Sequence, residues 1–289
     1  MIGKKEKQKE IKELGGFETL TRAYSQIASA HMKRTRGSVL LNRQFLAAIN
    51  DVFEDVRASY AEEILKLANR RKHKESVTFL SHNGKTVAVF LAANTGLFGD
   101  IIQRTFNIFV KDISTSNMEA VVVGRLGKAM YLNALPDRPY TYFELSDDNI
   151  SADELTQLIR HVVQYEEIRV YHAQFKTAIL QTPTIYTISA ETPMSELRVK
   201  ADRQAPYIFE PNLEKILVFF EEEIFASLME QTVRESQLAK YASRILAMDK
   251  ASENIKKKVR LLSLEKLRLS HAEADRKQLH ALSGMSLWN

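Results

Sequence analysis

Two glycine-containing loops are the parts of the sequence whose residue types could bind a phosphate. Residues 96–99 (Gly-Leu-Phe-Gly) and 124–128 (Gly-Arg-Leu-Gly-Lys) each follow an apolar, β-branched run. A glycine turn between a strand and a helix can point backbone N–H groups at a phosphate. A P-loop would need Ser or Thr after Lys128 and another glycine upstream, but the sequence has Ala129 and no such glycine. We therefore interpret both loops as structural turns.

Side chains that could catalyse a reaction or bind a metal are present, but their spacing does not favour either role. The seven histidines form no His-Glu-x-x-His motif, and there is no cysteine to act as a nucleophile or thiolate ligand. The run 221–223 (Glu-Glu-Glu) lies in a helical pattern, where consecutive side chains point in different directions. The sequence therefore predicts no catalytic site, no cofactor and no metal, and it is not typical of an enzyme.

The charge distribution separates the two ends of the chain from its middle. The 289 residues carry a net charge of +5, and residues 1–36 and 250–289 each hold nine Lys/Arg against four Asp/Glu. Clustered Lys and Arg could bind nucleic acid by releasing counterions, but a solvated helix face is favoured. No apolar run approaches the roughly 20 residues that cross a bilayer. We expect a soluble protein that reaches a membrane only through partners.

The C-terminal quarter of the chain predicts one long helix. Residues 212–283 contain no Gly or Pro, with Pro211 before them and Gly284 after them. At about 1.5 Å per residue such a helix would be on the order of 100 Å long, so it needs a partner helix and partner subunits. Its apolar residues recur with coiled-coil spacing in patches: Leu213, Leu217, Phe220, Ile224; Leu238, Ala242, Ile245; Ile255, Val259, Leu262.

The N-terminal segment also predicts a helix. Apolar residues recur at three- and four-residue steps from Leu40 to Leu67. The pattern is weaker over residues 17–36, where the better apolar face consists of Ala23, Tyr24, Ile27, Ala28 and Met32. Because each glycine costs a helix about 1 kcal/mol relative to alanine, the pair Gly15-Gly16 is expected to loosen or break the first turns.

Between these helices the pattern alternates between strand and helix. The predicted strands are 76–80, 86–92, 120–123, 167–175 and 184–189, and the predicted helices are 99–111, 126–132 and 151–164. Ser151 is expected to cap the last helix, with Glu154 at the capping-box position. This alternation favours an α/β domain with a partly parallel sheet. We divide the chain into an N-terminal helix (1–72), a central α/β domain (73–210) and a C-terminal helix (211–289).

Five short motifs, in order along the chain, resemble the gamma subunit of F-type ATP synthases. They are residues 20–28 (Leu-Thr-Arg-Ala-Tyr-Ser-Gln-Ile-Ala), 93–100 (Ala-Asn-Thr-Gly-Leu-Phe-Gly-Asp), 123–127 (Val-Gly-Arg-Leu-Gly), 207–211 (Tyr-Ile-Phe-Glu-Pro) and 242–254, which begins Ala-Ser-Arg-Ile-Leu-Ala-Met. The resemblance covers essentially the whole chain. It implies a long antiparallel coiled coil, formed by the N- and C-terminal helices, and a central Rossmann-like α/β domain.

The resemblance also implies a function and partners. The chain would be the central rotor shaft that couples ion flow through the membrane ring to ATP synthesis or hydrolysis. Its partners would be the alpha and beta subunits of the catalytic hexamer, the epsilon subunit and the membrane rotor ring, with no nucleic acid and no direct insertion into the membrane. The location would be peripheral, on the cytoplasmic face of the bacterial inner membrane. The candidate contacts to beta are Arg22, Tyr24, Arg34, Arg244, Arg268, Arg276 and Gln278.

Four departures from the family pattern leave alternatives open. The polar motif usual in the family's last helix is about two residues out of register over 264–282, and Gly15-Gly16 lies where the family has a straight helix. Lys240 stands where the family usually has an acidic residue, and Tyr24 stands where it has Met. These features favour a divergent or alternate rotary ATPase, with a sodium-linked complex as one form. A gamma-like coiled-coil scaffold or adaptor outside ATP synthesis is the alternative.

Overall fold

The computed structural model of the chain describes residues 3–60, 63–64, 82–189 and 212–286. The predicted strand 76–80, the motif at 207–211 and the end of the N-terminal apolar pattern at Leu67 lie outside these residues. The chain divides into two compact units. Unit 1 is Met1–Ala30 with Arg244–Asn289, and unit 2 is His31–Ser243.

The described helices and strands agree with most of the predicted ones. In chain order they are α1 (Lys4–Ser59), β1 (Thr86–Leu91), α2 (Ile101–Thr115), β2 (Glu119–Val123), α3 (Arg125–Ala134), β3 (Tyr140–Phe143), α4 (Ala152–Val162), β4 (Glu167–Phe175), β5 (Gln181–Ser189) and α5 (Leu213–Ser286). Strand β3 was not predicted. Ser151 caps α4 in a capping box with Glu154, as expected. In the described part of the chain, no helix has an apolar stretch that could span a bilayer.

In unit 1, α1 and α5 pair in antiparallel orientation along a seam with heptad spacing. The less exposed side chains at this spacing include, on α1, Lys4, Lys7, Ile11, Leu14, Glu18, Thr21, Ser25 and Ala28, and, on α5, Ile245, Met248, Ser252, Ile255, Val259, Leu262, Lys266 and Leu269. Polar pairs cross the seam in order: Lys4–Glu273, Lys7–Glu265, Glu10–Lys258, Glu18–Lys256 and Ser25–Asp249. The residue numbers fall on α5 as they rise on α1, so the predicted antiparallel coiled coil is confirmed within this unit.

Helix α1 runs without interruption through Gly15 and Gly16, so the predicted break at this pair is wrong. The polar pairs with α5 lie on both sides of the glycines, with Glu10 before them and Glu18 after them. These contacts hold the two flanking turns in register. They offset the low helix propensity of the glycine pair.

Substituting alanine for Gly15 is expected to stabilise α1 by about 1 kcal/mol. A Cβ added at Gly15 or Gly16 meets no atom within 4 Å, so the gain in helix propensity is not opposed by a clash. Amide hydrogen exchange over residues 8–20 of the full chain should slow by about fivefold. Faster exchange in Gly15→Ala would contradict an unkinked helix at this point. The same change at Gly37, also in open space, is the control in unit 2.

Unit 2 is built on a five-stranded sheet with the order β3-β2-β1-β4-β5. Strand β1 is parallel to β2 and to β4, β2 is parallel to β3, and β5 is antiparallel to β4. Five consecutive β1 residues, from Val87 to Leu91, are buried. Burial of both faces is usual for parallel strands that have helices on each side.

The sheet of unit 2 has a helical layer on each face. Helices α2 and α3 cover one face with an aromatic cluster: Phe90, Phe106, Phe109, Tyr131 and Tyr171. Helix α4 and the first half of α5 cover the other face, where Leu158, Val162, Phe225, Met229 and Val233 join the buried strand residues. The predicted α/β class is confirmed, and α5 itself supplies part of one layer.

Candidate functional site

Four polar side chains of α5 attach this helix to the sheet of unit 2 at the carboxyl ends of its parallel strands. We call the contact of Gln237, Lys240, Tyr241 and Ser243 with the loops after β1 and β3 the joint. Lys240 Nζ donates to the carbonyl oxygen of Ala92 at 2.6 Å. Ser243 Oγ donates to the carbonyl oxygen of Phe98, also at 2.6 Å. Both side chains are buried, so these bonds are shielded from water and are stronger than exposed ones.

Asp147 connects three segments of the joint. Its carbonyl oxygen accepts hydrogen bonds from Gln237 Nε2 at 3.0 Å and Tyr241 Oη at 2.6 Å. Its carboxylate accepts from the backbone N–H groups of Asn94 and Thr95, at 2.9 Å each, and from Thr95 Oγ1 at 2.8 Å. Asp147, in the loop after β3, therefore fixes both the loop after β1 and the long helix α5. Because the bonds differ in direction, they resist sliding and rotation of α5 against the sheet.

A segment of α1 also reaches the joint in unit 2. The imidazole ring of His31 stacks on the ring of Tyr241, with centroids 5.4 Å apart. Further along, Asn42 Nδ2 donates to the carbonyl oxygen of Ser227 at 3.0 Å. Both long helices are thus fixed to each other within this unit.

The glycine loop at 124–128 is a structural turn, as the sequence predicts. Its backbone N–H groups have protein partners: Gly124 N donates to the carbonyl oxygen of Phe143 at 2.9 Å, and Arg125 N donates to Asn94 Oδ1 at 3.0 Å. Leu126 N donates to a carbonyl oxygen of the loop after β1. These are the groups that would bind a phosphate at the start of α3. Since they are occupied, the loop secures α3 to the sheet.

A second glycine in this loop allows α3 to lie close to the sheet. A Cβ at Gly127 would stand 2.6 Å from the Cβ of Ala92, well inside van der Waals contact. Gly127 therefore permits close packing at the base of the joint.

The amino ends of the parallel strands, at the opposite end of the sheet from the joint, carry an ion pair and an open groove. The groove has a volume of about 800 Å³ and lies at the start of β1, β2 and β3. The Lys85 ammonium group, 2.7 Å away, holds the pKa of Glu119 below its usual value, and Tyr165 Oη also donates to this carboxylate. Burial raises the pKa of Tyr165 to about 12. A carboxylate kept ionised beside a phenol kept protonated does not favour proton transfer at neutral pH.

The apolar face of α1 in unit 1 is turned away from the seam. Phe17, Leu20, Tyr24 and Ile27 recur at steps of three and four residues and are 58%, 54%, 41% and 50% exposed. We call these four side chains the outer face. Of the better apolar face predicted for this segment, Ala28 is buried in the seam, whereas Tyr24 and Ile27 are exposed on the outer face. A helix that pairs through one face and leaves a second, apolar face exposed is expected to be surrounded by other proteins.

The structure distributes the seven predicted interface residues along the two long helices. Arg22 is exposed and pairs with Glu18 at 2.8 Å. Tyr24 belongs to the outer face, and Arg244 is buried, with 7% of its surface exposed. The remaining four side chains are exposed: Arg34, Arg268, Arg276 and Gln278.

The joint was not predicted from the sequence. Lys240 stood out only as a departure from a family pattern and Ser243 only as part of the motif at 242–254. Asp147 and Tyr241 were not singled out. The sequence signal that could have indicated the joint is the helical spacing of the polar residues 236, 237, 240 and 243. The structure shows that this face of α5 is buried. Within the described residues, no group of His, Asp and Glu is placed to hold a metal ion.

Comparison with known proteins gives consistent results over almost the whole chain. A family model described as ATP synthase matches residues 4–272. The ATP synthase gamma chain of Desulforamulus reducens is 25% identical over 277 residues, covering 91% of each chain. The gamma chain of Bdellovibrio bacteriovorus is 22% identical over 306 residues, covering 98% of each.

Two solved structures show the same fold. The Tetrahymena thermophila mitochondrial ATP synthase, in a structure of its central stalk and c-ring, has a chain with a TM-score of 0.56 and 20% identity, covering 81% of this chain and 99% of that one. A chain of the Euglena gracilis mitochondrial ATP synthase has a TM-score of 0.54 and 12% identity, covering 89% and 94%.

Proposed function

Because this chain belongs to the ATP synthase family, as a gamma chain, we propose that it works as the rotor shaft of a rotary F-type ATP synthase and has no catalytic site of its own. The observation that carries the proposal is the arrangement of unit 1. Its helix pair packs through a seam of apolar and charged residues that several ion pairs cross, while the outer face is left exposed. A shaft inside a collar needs this arrangement, because the collar must contact apolar surface as the shaft turns.

The proposed collar is the hexamer of alpha and beta subunits. The outer face supplies apolar contact area for the collar. The basic ends of the chain supply positive charge that complements acidic loops of the beta subunits. We propose that the six exposed interface residues, Arg22, Tyr24, Arg34, Arg268, Arg276 and Gln278, contact beta directly. Because the side chain of Arg244 is buried within this chain, we propose that it affects beta through its positive charge instead of by direct contact.

The other proposed partners lie at the membrane. The two similar solved structures are of assemblies that include a c-ring, which supports a rotor ring as a partner of this chain. We further propose contact with an epsilon subunit and a peripheral position at the cytoplasmic face of a bacterial inner membrane. The coupling ion, proton or sodium, would be selected by the ring.

The geometry of unit 2 suggests how torque enters the shaft. The joint ties α5 to the sheet through bonds in several directions, and α5 continues without interruption to Ser286. Rotation of the α/β domain (proposed bounds 73–210) would therefore turn the terminal helices (1–72 and 211–289). Each orientation would present a different surface to the three beta subunits and stabilise a different beta conformation.

The test is purification of the native complex through a tag on this chain, followed by counting of the subunits. The expected result is three alpha, three beta and one copy of this chain, with ATPase activity. A gamma-like adaptor outside ATP synthesis, the alternative, would purify with other partners and without alpha and beta. That second outcome would overturn the shaft proposal while leaving the family membership intact.

A further inference from the structure

A small cavity lies inside the joint of unit 2, between the carboxyl ends of β1 and β2 and helix α5. Its volume is about 20 Å³, and its walls include Leu91, Val123 and Val233. Two polar side chains of α5, Ser236 and Lys240, also line it. A polar cavity of roughly 10–15 Å³ or more can hold one water molecule. The space is therefore large enough for one water and too small for any organic ligand.

The hydroxyl group of Ser236 is the reason to assign an occupant. Ser236 is 1% exposed, and its Oγ has no hydrogen-bond partner among the described residues of the chain. Thr232, one turn earlier, donates its hydroxyl to the carbonyl oxygen of Leu228, as helical Ser and Thr commonly do. Ser236 instead faces the cavity. A buried hydroxyl without a partner is costly, and native proteins commonly satisfy such groups with ordered water.

The positive charge of Lys240 at the cavity wall indicates which kind of molecule the cavity can bind. The Lys240 ammonium group already donates to the Ala92 carbonyl oxygen and carries the only full charge among the lining residues. A cation is disfavoured beside an ammonium group. Water can accept from Lys240 and exchange a hydrogen bond with a hydroxyl.

We propose that this cavity binds one water molecule, held by Ser236 Oγ and Lys240 Nζ, as a permanent part of the joint. The water links two consecutive turns of α5, and Lys240 in turn bonds the Ala92 carbonyl oxygen at the end of β1. The water completes the hydrogen bonding of Ser236 on a buried helix face.

The direct test is a high-resolution map of an assembled ATP synthase that contains this chain. A peak about 3 Å from both Ser236 Oγ and Lys240 Nζ is expected. It should weaken or vanish in Ser236→Ala. An empty cavity in the unsubstituted chain would overturn the proposal.

A second test uses the sign of a stability change. If Ser236 binds water, Ser236→Ala removes a hydrogen bond, and amide exchange over residues 233–243 should become about fivefold faster. If the hydroxyl has no partner, its removal relieves a penalty and exchange should slow. Ser263→Ala, at an exposed position of the same helix, corrects for the higher helix propensity of alanine. Slower exchange after this correction would contradict the proposal even if the map were ambiguous.

Discussion

Replacing Phe17, Leu20 and Ile27 together by glutamine is expected to lower coupled ATP synthesis at least tenfold. Each side chain is about half exposed in this chain, and burying one against a partner is worth roughly 1.5–3 kcal/mol. Losing three such contacts removes more than the 1.4 kcal/mol that corresponds to a factor of ten. Glutamine is a good helix former and none of the three residues belongs to the seam, so the helix pair should persist.

The measurement compares ATP synthesis and ATP-driven ion pumping with ATP hydrolysis in membrane vesicles. Synthesis and pumping should fall while any hydrolysis that remains is poorly coupled. The matched control is Ile179→Gln with Leu180→Gln, two aliphatic side chains at the β4–β5 turn that are 78% and 53% exposed. Normal coupling in the triple variant, or equal loss in the control, would show that the outer face is not the surface that contacts the collar.

Gly124→Ala is expected to destabilise unit 2 by about 3 kcal/mol or more. The residue has a φ of 92°, which L side chains rarely adopt. An added Cβ would also lie 2.6 Å from the carbonyl oxygen and 2.7 Å from the carbonyl carbon of Ala93. These are backbone atoms that hold the turn to α3, so neither can move without breaking the hydrogen bond from Leu126 N.

The effect of Gly124→Ala can be measured as a shift of the denaturation midpoint of the full chain, or as faster amide exchange in β1 and β2. Gly96→Ala is the control, because a Cβ there meets no atom within 4 Å and its φ is not in the left-handed region. Equal stability of the two variants would show that the turn can relax at little cost.

The long helix α5 was predictable because its signal is local. A stretch without Gly or Pro between Pro211 and Gly284 leaves few alternatives to a helix. The buried parallel strands were equally clear, since Val87 to Leu91 form a continuous apolar run. Strand β3 was missed because it has only four residues and lies at the edge of the sheet. Its side chains are half-buried and show no alternation.

The polar features could not be predicted in the same way, because their partners are distant in sequence. Lys240 bonds a residue 148 positions earlier, and Tyr241 bonds one 94 positions earlier. The seam of unit 1 was predictable on α5 but less so on α1. The coiled-coil spacing of Ile255, Val259 and Leu262 marks the seam on α5. On α1, apolar periodicity points to the face of Tyr24 and Ile27, whereas the seam also uses Lys7 and Glu18.

The seam of unit 1 has a consequence for the supply of this subunit in a cell. A helix pair with few buried apolar side chains opens readily when nothing encloses it. Proteases cleave such transiently opened segments, and the rate follows the population of the open form. Surplus copies would be degraded faster than assembled ones, so the abundance of orphan chains would adjust itself to the number of complexes being built.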